Sequence, residues 1–147
     1  MSEKIVFRQE FEIKGGDFSR GGEVSCEIKS LLRDIGLPAP SVRRAAIASY
    51  EAEMNVIMYA ERGVLDLSVT PLMIRIVVED TGPGIADIEL AMNEGYSTAT
   101  PEMRELGFGA GMGLSNIKKN TDEFEITSEV GKGTRLSMMI RTDGNRP

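Results

Sequence analysis

Strand-like segments in this chain come as neighbouring pairs instead of alternating one by one with helices. Alternating apolar and polar residues predict strands at Val64 to Thr70, Met73 to Glu79, Glu125 to Ser128 and Arg135 to Ile140. The two members of a pair are close enough in sequence for an antiparallel hairpin, whereas a parallel crossover needs a dozen or more residues. The pattern therefore disfavours a doubly wound parallel sheet and predicts a mostly antiparallel sheet with helices on one face.

One strand and one helix precede the first pair. Alternation over Lys4 to Ile13 predicts an edge strand with a polar face, which the Gly15-Gly16 pair ends. Apolar spacing of three and four residues predicts an amphipathic helix from about Ser19 to Ile35, and Gly36 supplies its stop signal.

Helical spacing returns in three later segments. Ser41 can cap a long second helix that continues until Gly63. After the first strand pair we expect a short helix near Asp87 to Met92 and a long loop as far as Gly113. A helix over Leu114 to about Asn120 then leads into the second strand pair.

Composition and charge exclude several classes of function. The 147 residues are 41% hydrophobic and 27% charged, which suits one folded domain over residues 1–147. The net charge of −6 has the wrong sign for a protein that coats nucleic acid. The absence of histidine and the single Cys26 exclude Ser-His-Asp and Cys-His nucleophile sites, and zinc sites of imidazole and thiolate. No apolar run approaches the roughly 18 residues of a membrane span, so we expect a cytoplasmic protein that does not bind membranes.

Glu51 and Asn55 are the first pair of candidate functional residues. They stand four residues apart on the second predicted helix, so both side chains can point at one ligand. A carboxylate can accept a proton, and an amide oxygen is a ligand that Mg²⁺ accepts. The alternative is an exposed polar stripe, of the kind that Glu53 and Glu61 also suggest.

Two glycine-containing stretches follow. In Asp80-Thr81-Gly82-Pro83-Gly84, the carboxylate ends a predicted buried strand and can accept from an exocyclic amine such as that of adenine, while the alternative is a tight turn. Glycines alternate at 107, 109, 111 and 113 immediately before a predicted helix. Successive backbone N–H groups and a helix N-terminus suit a polyphosphate, and a purely structural glycine-rich loop is the alternative.

A fourth motif, Gly131-Lys132-Gly133-Thr134, is by itself a hairpin turn. The order and spacing of all four motifs together resemble the GHKL ATPase superfamily. Its N-box is similar to Glu51-x-x-x-Asn55, its G1 box to Asp80-x-Gly82-x-Gly84, its G2 box to Gly107-x-Gly109-x-Gly111-x-Gly113-Leu114, and its last box to Gly131-x-Gly133-Thr134. The resemblance extends to Ile140 and implies the Bergerat ATP-binding fold, an α/β (α+β) two-layer sandwich of a mixed, mostly antiparallel sheet with helices on one face.

The resemblance also implies a role for each motif residue. Glu51 would be the general base, and Asn55 would hold Mg²⁺ against the phosphates of ATP. Asp80 would read the adenine amine, and Thr134 would add a water-mediated contact. The remaining nucleotide-binding residues would be Gly82 and Gly84 around the adenine, Gly107, Gly109, Gly111, Gly113 and Leu114 around the phosphates, and Arg104 at the γ-phosphate.

Within the superfamily, two stretches point to one branch. Residues Tyr96 to Arg104 resemble the anti-sigma factor serine/threonine kinases, and Asp122-Glu123-Phe124 is similar to the stressosome switch kinases. This implies an ATP-dependent protein kinase that phosphorylates a STAS-domain antagonist and switches partners, with a sigma factor or phosphatase as further partners and a homodimer as its assembly. Arg20 resembles the partner-binding arginine of these kinases, and its alternative is a solvated charge at a helix end.

Two other functions remain open from the sequence. One is a binding module, in which the nucleotide only sets the affinity for a partner protein. The other is a detached catalytic domain of a histidine kinase, which would need a separate histidine-bearing protein because this chain has no histidine.

Overall fold

A computed structural model of the chain describes residues 4–93 and 113–142, apart from the side chain of Glu89. Within these residues the strands are β1 (Phe7–Lys14), β2 (Arg62–Val69), β3 (Met73–Thr81), β4 (Glu123–Glu129) and β5 (Gly133–Arg141). The helices are a 3₁₀ turn (Phe18–Arg20), α1 (Glu23–Ile35), α2 (Ala39–Tyr59), α3 (Ile88–Ala91) and α4 (Gly113–Lys119). No helix in this part of the chain combines the length and the apolar content that crossing a bilayer requires.

The described strands form one sheet in the order β1-β2-β3-β5-β4. All four neighbouring pairs are antiparallel, and the register places Leu65 beside Val78 and Ile76 beside Met138. The two predicted hairpins and the edge position of the first strand are confirmed. The predicted mostly antiparallel sheet is confirmed as well, although no parallel pair that would make it mixed occurs among the described strands.

The helices cover one face of this sheet. Its inward side chains share a core with α1 and α2, and fully buried members are Ile28, Leu32, Val56, Leu65, Leu67, Ile74, Ile76 and Met138. The opposite face alternates with it and carries charged side chains such as Arg8, Glu10, Arg75 and Glu125. A two-layer α/β arrangement with the helices on one face is therefore confirmed, because burial follows the two-residue period of the strands.

The predicted boundaries of α2 were wrong at both ends. Ser41 does not cap the helix, which begins at Ala39 after Pro38; instead its Oγ donates a 3.0 Å hydrogen bond to the carbonyl oxygen of Arg141. The helix ends at Tyr59 rather than Gly63, because Ala60 is extended and sheet pairing begins at Arg62. The start agrees with a local signal, a proline in the first turn, whereas the end is set by pairing with the sheet.

The start of α1 also differs from the predicted Ser19. A 3₁₀ turn comes first, Gly22 has a φ of +96°, and the α-helix begins at Glu23. The carboxylate of Glu53 on α2 accepts hydrogen bonds from the backbone N–H groups of Gly22, Val24 and Ser25, at 3.1, 3.2 and 3.0 Å. Glu53 is only 1% exposed, so it is not part of a polar stripe. It caps α1 from another helix and satisfies N–H groups that have no partner within α1.

We predict that Glu53→Ala lowers the free energy of unfolding by about 2 to 4 kcal/mol, because three N–H groups at the start of α1 lose their acceptor. Urea denaturation measures the change. The control is Glu27→Ala, which removes an exposed carboxylate of α1 and is expected to change the unfolding free energy by less than about 0.5 kcal/mol. Equal effects of the two substitutions would contradict the capping role of Glu53.

Candidate functional site

Glu51 and Asn55 on α2 face the beginning of α4. A β-carbon added to Gly113 would lie 3.2 Å from Glu51 Oε2 and 3.4 Å from Asn55 Oδ1, so the backbone of Gly113 passes close to both side chains. One turn further along α4, Asn116 Nδ2 donates a 3.4 Å hydrogen bond to Glu51 Oε1. We call Glu51, Asn55, Gly113 and Asn116 the acid–amide cluster. Asn116 was missed by the sequence reasoning, because its spacing on a short helix gave no sign of which side chain it would meet.

The environment of Glu51 favours proton uptake. Burial raises the pKa of the Glu51 carboxyl, and the hydrogen bond from Asn116 opposes this by favouring the ionised form. The side chain is half-buried, so a ligand can still reach it. A carboxylate with a raised pKa is a better base than an ordinary surface carboxylate.

This burial predicts a gain of stability in Glu51→Gln. Ionisation of Glu51 is harder in the folded protein than in the unfolded chain, so stability is lost as the pH rises from the ordinary pKa through the raised pKa. The substitution removes that loss, and we expect a higher midpoint of urea denaturation at pH about 7.5 and no gain near pH 4. A gain of equal size at both pH values would show that ionisation is not its cause.

Asp80 lies near the end of β3, where it meets the beginning of β5. Its Oδ1 accepts a 3.1 Å hydrogen bond from the backbone N–H of Thr134. A β-carbon on Gly133 would overlap the carbonyl oxygen of Asp80, so glycine is needed for this close approach. Burial raises the pKa of the Asp80 carboxyl, and the Thr134 N–H lowers it in part. The side chain is half-buried, and within the described residues its Oδ2 accepts no hydrogen bond.

Gly82 and Gly84 follow β3 in a tightly packed turn. A β-carbon on Gly82 would lie 2.9 Å from Ala60 Cα, and one on Gly84, whose φ is +75°, would overlap the carbonyl oxygen of Glu129. Glycine is therefore required at both positions by close backbone approach. These two glycines, Asp80 and Thr134, together with Ser128, form what we call the strand-end cluster.

Ser128 ties this cluster together. Its Oγ accepts a 2.7 Å hydrogen bond from the N–H of Ile85 and lies 3.0 Å from the Gly133 carbonyl oxygen and 2.8 Å from Thr134 Oγ1. The hydroxyl thus joins the turn after β3 to the start of β5. The sequence reasoning missed Ser128, although a signal existed: it is a polar residue at the inward-facing position of β4 that follows Phe124 and Ile126.

The helix α2 connects the two clusters. Gly82 packs against Ala60, the residue after the end of α2, and the N–H of Glu61 donates a 2.8 Å hydrogen bond to the Thr81 carbonyl oxygen. Asn55 precedes Ala60 by five residues, which is about 7.5 Å of helix rise. Both clusters therefore adjoin the C-terminal half of the same helix.

Other predicted site residues belong to neither cluster, although Arg20 lines the same cavity as Asp80. Leu114 is 8% exposed and belongs to the core, so only its backbone could face a ligand. Arg20 ends the 3₁₀ turn with its side chain 73% exposed, and its Nε lies 3.7 Å from Asp17 and 4.0 Å from Glu23. It belongs to neither cluster. Arg104, Gly107, Gly109 and Gly111 lie outside the described residues.

Residues 44–144 match the family of histidine kinase-, DNA gyrase B- and HSP90-like ATPases, and this match includes every residue of both clusters. The chain belongs to this family. The resemblance to the GHKL superfamily is thereby confirmed, and with it the class of fold.

Two kinds of protein are among the relatives of this chain. Serine/threonine-protein kinase RsbT of Bacillus subtilis is 30% identical over 112 residues, which are 74% of this chain and 78% of that protein. The anti-sigma F factor of Caldanaerobacter subterraneus subsp. tengcongensis is 34% identical over 106 residues, and that of Clostridium perfringens (strain SM101) is 32% identical over 98. These alignments cover 72% and 67% of this chain, which spans 66% and 63% of the two factors, just under two thirds of their length.

Proposed function

We propose that this chain is an ATP-dependent serine/threonine protein kinase that phosphorylates a STAS-domain antagonist and switches between partners. The acid–amide cluster carries the proposal, because a carboxylate with a raised pKa and an amide oxygen meet the glycine that closes the alternating glycine motif. The relative named as a serine/threonine-protein kinase, 30% identical over most of both chains, supports it. We further propose one domain over residues 1–147, located in the cytoplasm.

The strand-end cluster fits an adenine. One oxygen of Asp80 is held by the Thr134 N–H, and the other is open to an exocyclic amine. The close approach of Gly133 places backbone rather than a side chain beside this carboxylate. Thr134, whose hydroxyl lies beside Ser128, adds a polar group that a bridging water could use.

The acid–amide cluster fits the phosphate end of the same ligand. Asn55 Oδ1 is a neutral oxygen donor of the kind that Mg²⁺ accepts, and the metal, when bound, would offset the charge of the phosphates. The described residues contain no group of three or more Asp, Glu or Cys side chains that could hold a metal. Mg²⁺ is usually held by few protein oxygens together with substrate phosphates, so Asn55 could supply one of its ligands. Gly107, Gly109, Gly111 and Arg104 would complete the phosphate contacts.

Glu51 would act as the base. The hydroxyl proton of a partner serine or threonine passes to the Glu51 carboxylate. At the same time the hydroxyl oxygen forms a bond to the γ-phosphorus, and the bond between that phosphorus and the leaving ADP breaks. Asn116, bonded to Oε1, holds the carboxylate in one orientation and leaves Oε2 for the hydroxyl. Positioning and charge neutralisation supply most of the rate enhancement in such transfers.

Arg20 is our proposed contact with the partner protein. Its side chain is exposed, and its ion pairs with Asp17 and Glu23 are long and lie at the surface, so exchanging them for acidic groups of a partner costs little. The STAS-domain antagonist would bind here, as would a sigma factor or a phosphatase. Association into a homodimer is part of the same proposal.

Incubation of the chain with labelled ATP, Mg²⁺ and a STAS-domain protein tests the function. We expect label on a serine or threonine of the partner, as phosphate that is stable to acid. Absence of label in the presence of measurable ATP binding would overturn the kinase proposal and favour a nucleotide-gated binding module, in line with the relatives that are named as anti-sigma F factors. Acid-labile phosphate on a histidine-bearing protein would point to a detached histidine-kinase domain.

A further inference from the structure

One face of α2 carries polar residues along more than half of its length. Arg44, Glu51 and Asn55 are separated by seven and four residues, so they lie on the same side of the helix. Each of them meets α4 or the residues that directly follow it. Asn55 lies near Gly113 at the start of α4, and Glu51 lies near Gly113 and Asn116.

Arg44 makes the contact furthest from the nucleotide site. Its Nη2 lies 3.1 Å from Oδ1 of Asp122, which comes three residues after the end of α4. The two side chains are 11% and 1% exposed, so this ion pair is buried. Going from residue 113 to residue 122, the chain meets first Asn55 and last Arg44, so it follows α2 backwards. The helices α2 and α4 are therefore antiparallel.

Asp122 is itself fixed to the sheet. Its Oδ2 accepts a 2.7 Å hydrogen bond from the N–H of Arg141, and its own N–H donates a 2.8 Å hydrogen bond to the Met139 carbonyl oxygen. The beginning of α2 reaches the same strand, because Ser41 Oγ donates to the Arg141 carbonyl oxygen. Arg44 therefore contacts a carboxylate whose position β5 determines.

Stability alone is a weak explanation for such a pair. A buried ion pair often contributes no more than apolar residues of the same volume, because both charges lose their hydration. Within the described residues, Arg44 Nε and Nη2 are buried and neither donates a hydrogen bond of standard geometry, although Nη2 lies 3.1 Å from Asp122 Oδ1. Unlike apolar packing, an ion pair favours one alignment of the two helices. Displacing one helix would leave two buried charges separated from each other.

We propose that the Arg44–Asp122 pair positions the nucleotide site by fixing α4 lengthwise along α2, so that Gly113 and Asn116 stay opposite Asn55 and Glu51. The pair lies two helical turns from Glu51, or about 10.5 Å along α2, and touches no part of either cluster. Arg44 and Asp122 are thus positioning residues. The inference rests on the proposed function only in taking the acid–amide cluster as part of a nucleotide site.

The test is the double variant Arg44→Met/Asp122→Asn. It removes both buried charges together and keeps an oxygen that can accept from the Arg141 N–H, so we expect urea denaturation close to that of the wild type. We expect affinity for a non-hydrolysable ATP analogue with Mg²⁺ to fall about tenfold, and phosphate transfer to fall by up to roughly 10²-fold. Amide hydrogen exchange across Gly113–Lys119 should be faster.

The matched control is Arg8→Met/Asp66→Asn, which removes a surface ion pair between β1 and β2 with a 2.7 Å contact. Wild-type affinity and wild-type exchange in the Arg44→Met/Asp122→Asn protein would overturn the proposal, as would equal losses in the control. If that double variant does not fold, Asp122→Glu is the deciding test, because it keeps both charges and displaces the carboxylate by one methylene. Unchanged affinity of Asp122→Glu for the ATP analogue would overturn the proposal. The exchange measurement needs no nucleotide, so it decides even if the wild type binds none, a result that would overturn the proposed function separately.

Discussion

Glu51→Gln is expected to lower phosphate transfer to the partner protein by roughly 10²- to 10⁴-fold, the range that a general base contributes. The substitution is isosteric, and Gln Oε1 can still accept from Asn116, so the carboxylate's ability to take up a proton is what changes. Nucleotide affinity should stay within about threefold of the wild type, because the contacts with adenine come from the strand-end cluster. Single-turnover transfer of labelled phosphate at saturating ATP measures the effect.

Glu61→Gln serves as the control for this result. Glu61 is an exposed carboxylate just after the same helix, and its backbone rather than its side chain bonds to β3. We expect wild-type transfer from it. If both variants bound ATP and Glu51→Gln transferred phosphate as fast as Glu61→Gln, Glu51 would not be the base.

Asp80→Asn is expected to weaken the binding of adenine nucleotides on the order of 10²-fold. This is the change in dissociation constant that corresponds to the free energy of one charge-assisted hydrogen bond. The Thr134 N–H needs an acceptor, so the amide would turn its oxygen toward Thr134. Its NH₂ group would then face the exocyclic amine of adenine, donor against donor. Calorimetric titration with ATP and Mg²⁺ measures the affinity.

A comparison with Asp66→Asn separates this effect from a general loss of charge. Asp66 is on β2 and pairs with Arg8 on the exposed face of the sheet, so its substitution leaves both clusters intact. Titration with GTP is a second control, since guanine offers no exocyclic amine at the position of the adenine amine. Retention of wild-type ATP affinity in Asp80→Asn would mean that the adenine is not read at the end of β3.

Local sequence patterns predicted the elements whose apolar residues recur at regular spacing. The two-residue period of β2 to β5 and the three- to four-residue spacing of α1 and α2 arise from burial of one face, and that burial shows in the order of apolar and polar residues along the chain. Gly36, in the left-handed conformation at the end of α1, shows that a stop signal can be read where the backbone itself requires glycine.

Element boundaries were less predictable where distant contacts compete with local signals. Serine is a residue type that often caps helices, but the Ser41 hydroxyl donates its hydrogen bond to the carbonyl oxygen of Arg141, which is a hundred residues away. The start of α1 moved from Ser19 to Glu23 because the Glu53 carboxylate, on another helix, provides acceptors at that point. A propensity describes neighbours along the chain and carries no information about such partners.

By itself the sequence determined the order of strands and helices, the antiparallel class of the sheet, and the spacing of Glu51, Asn55, Asp80 and the glycines. The tertiary structure alone decided which side chains those residues meet: Asn116 at Glu51, Ser128 at the turn after β3, and Asp122 at Arg44. The physical reason is that periodicity follows from hydrophobic burial, which acts on every residue of an element. A hydrogen bond or buried ion pair depends instead on two atoms brought within about 3 Å, and only the packed fold sets that distance.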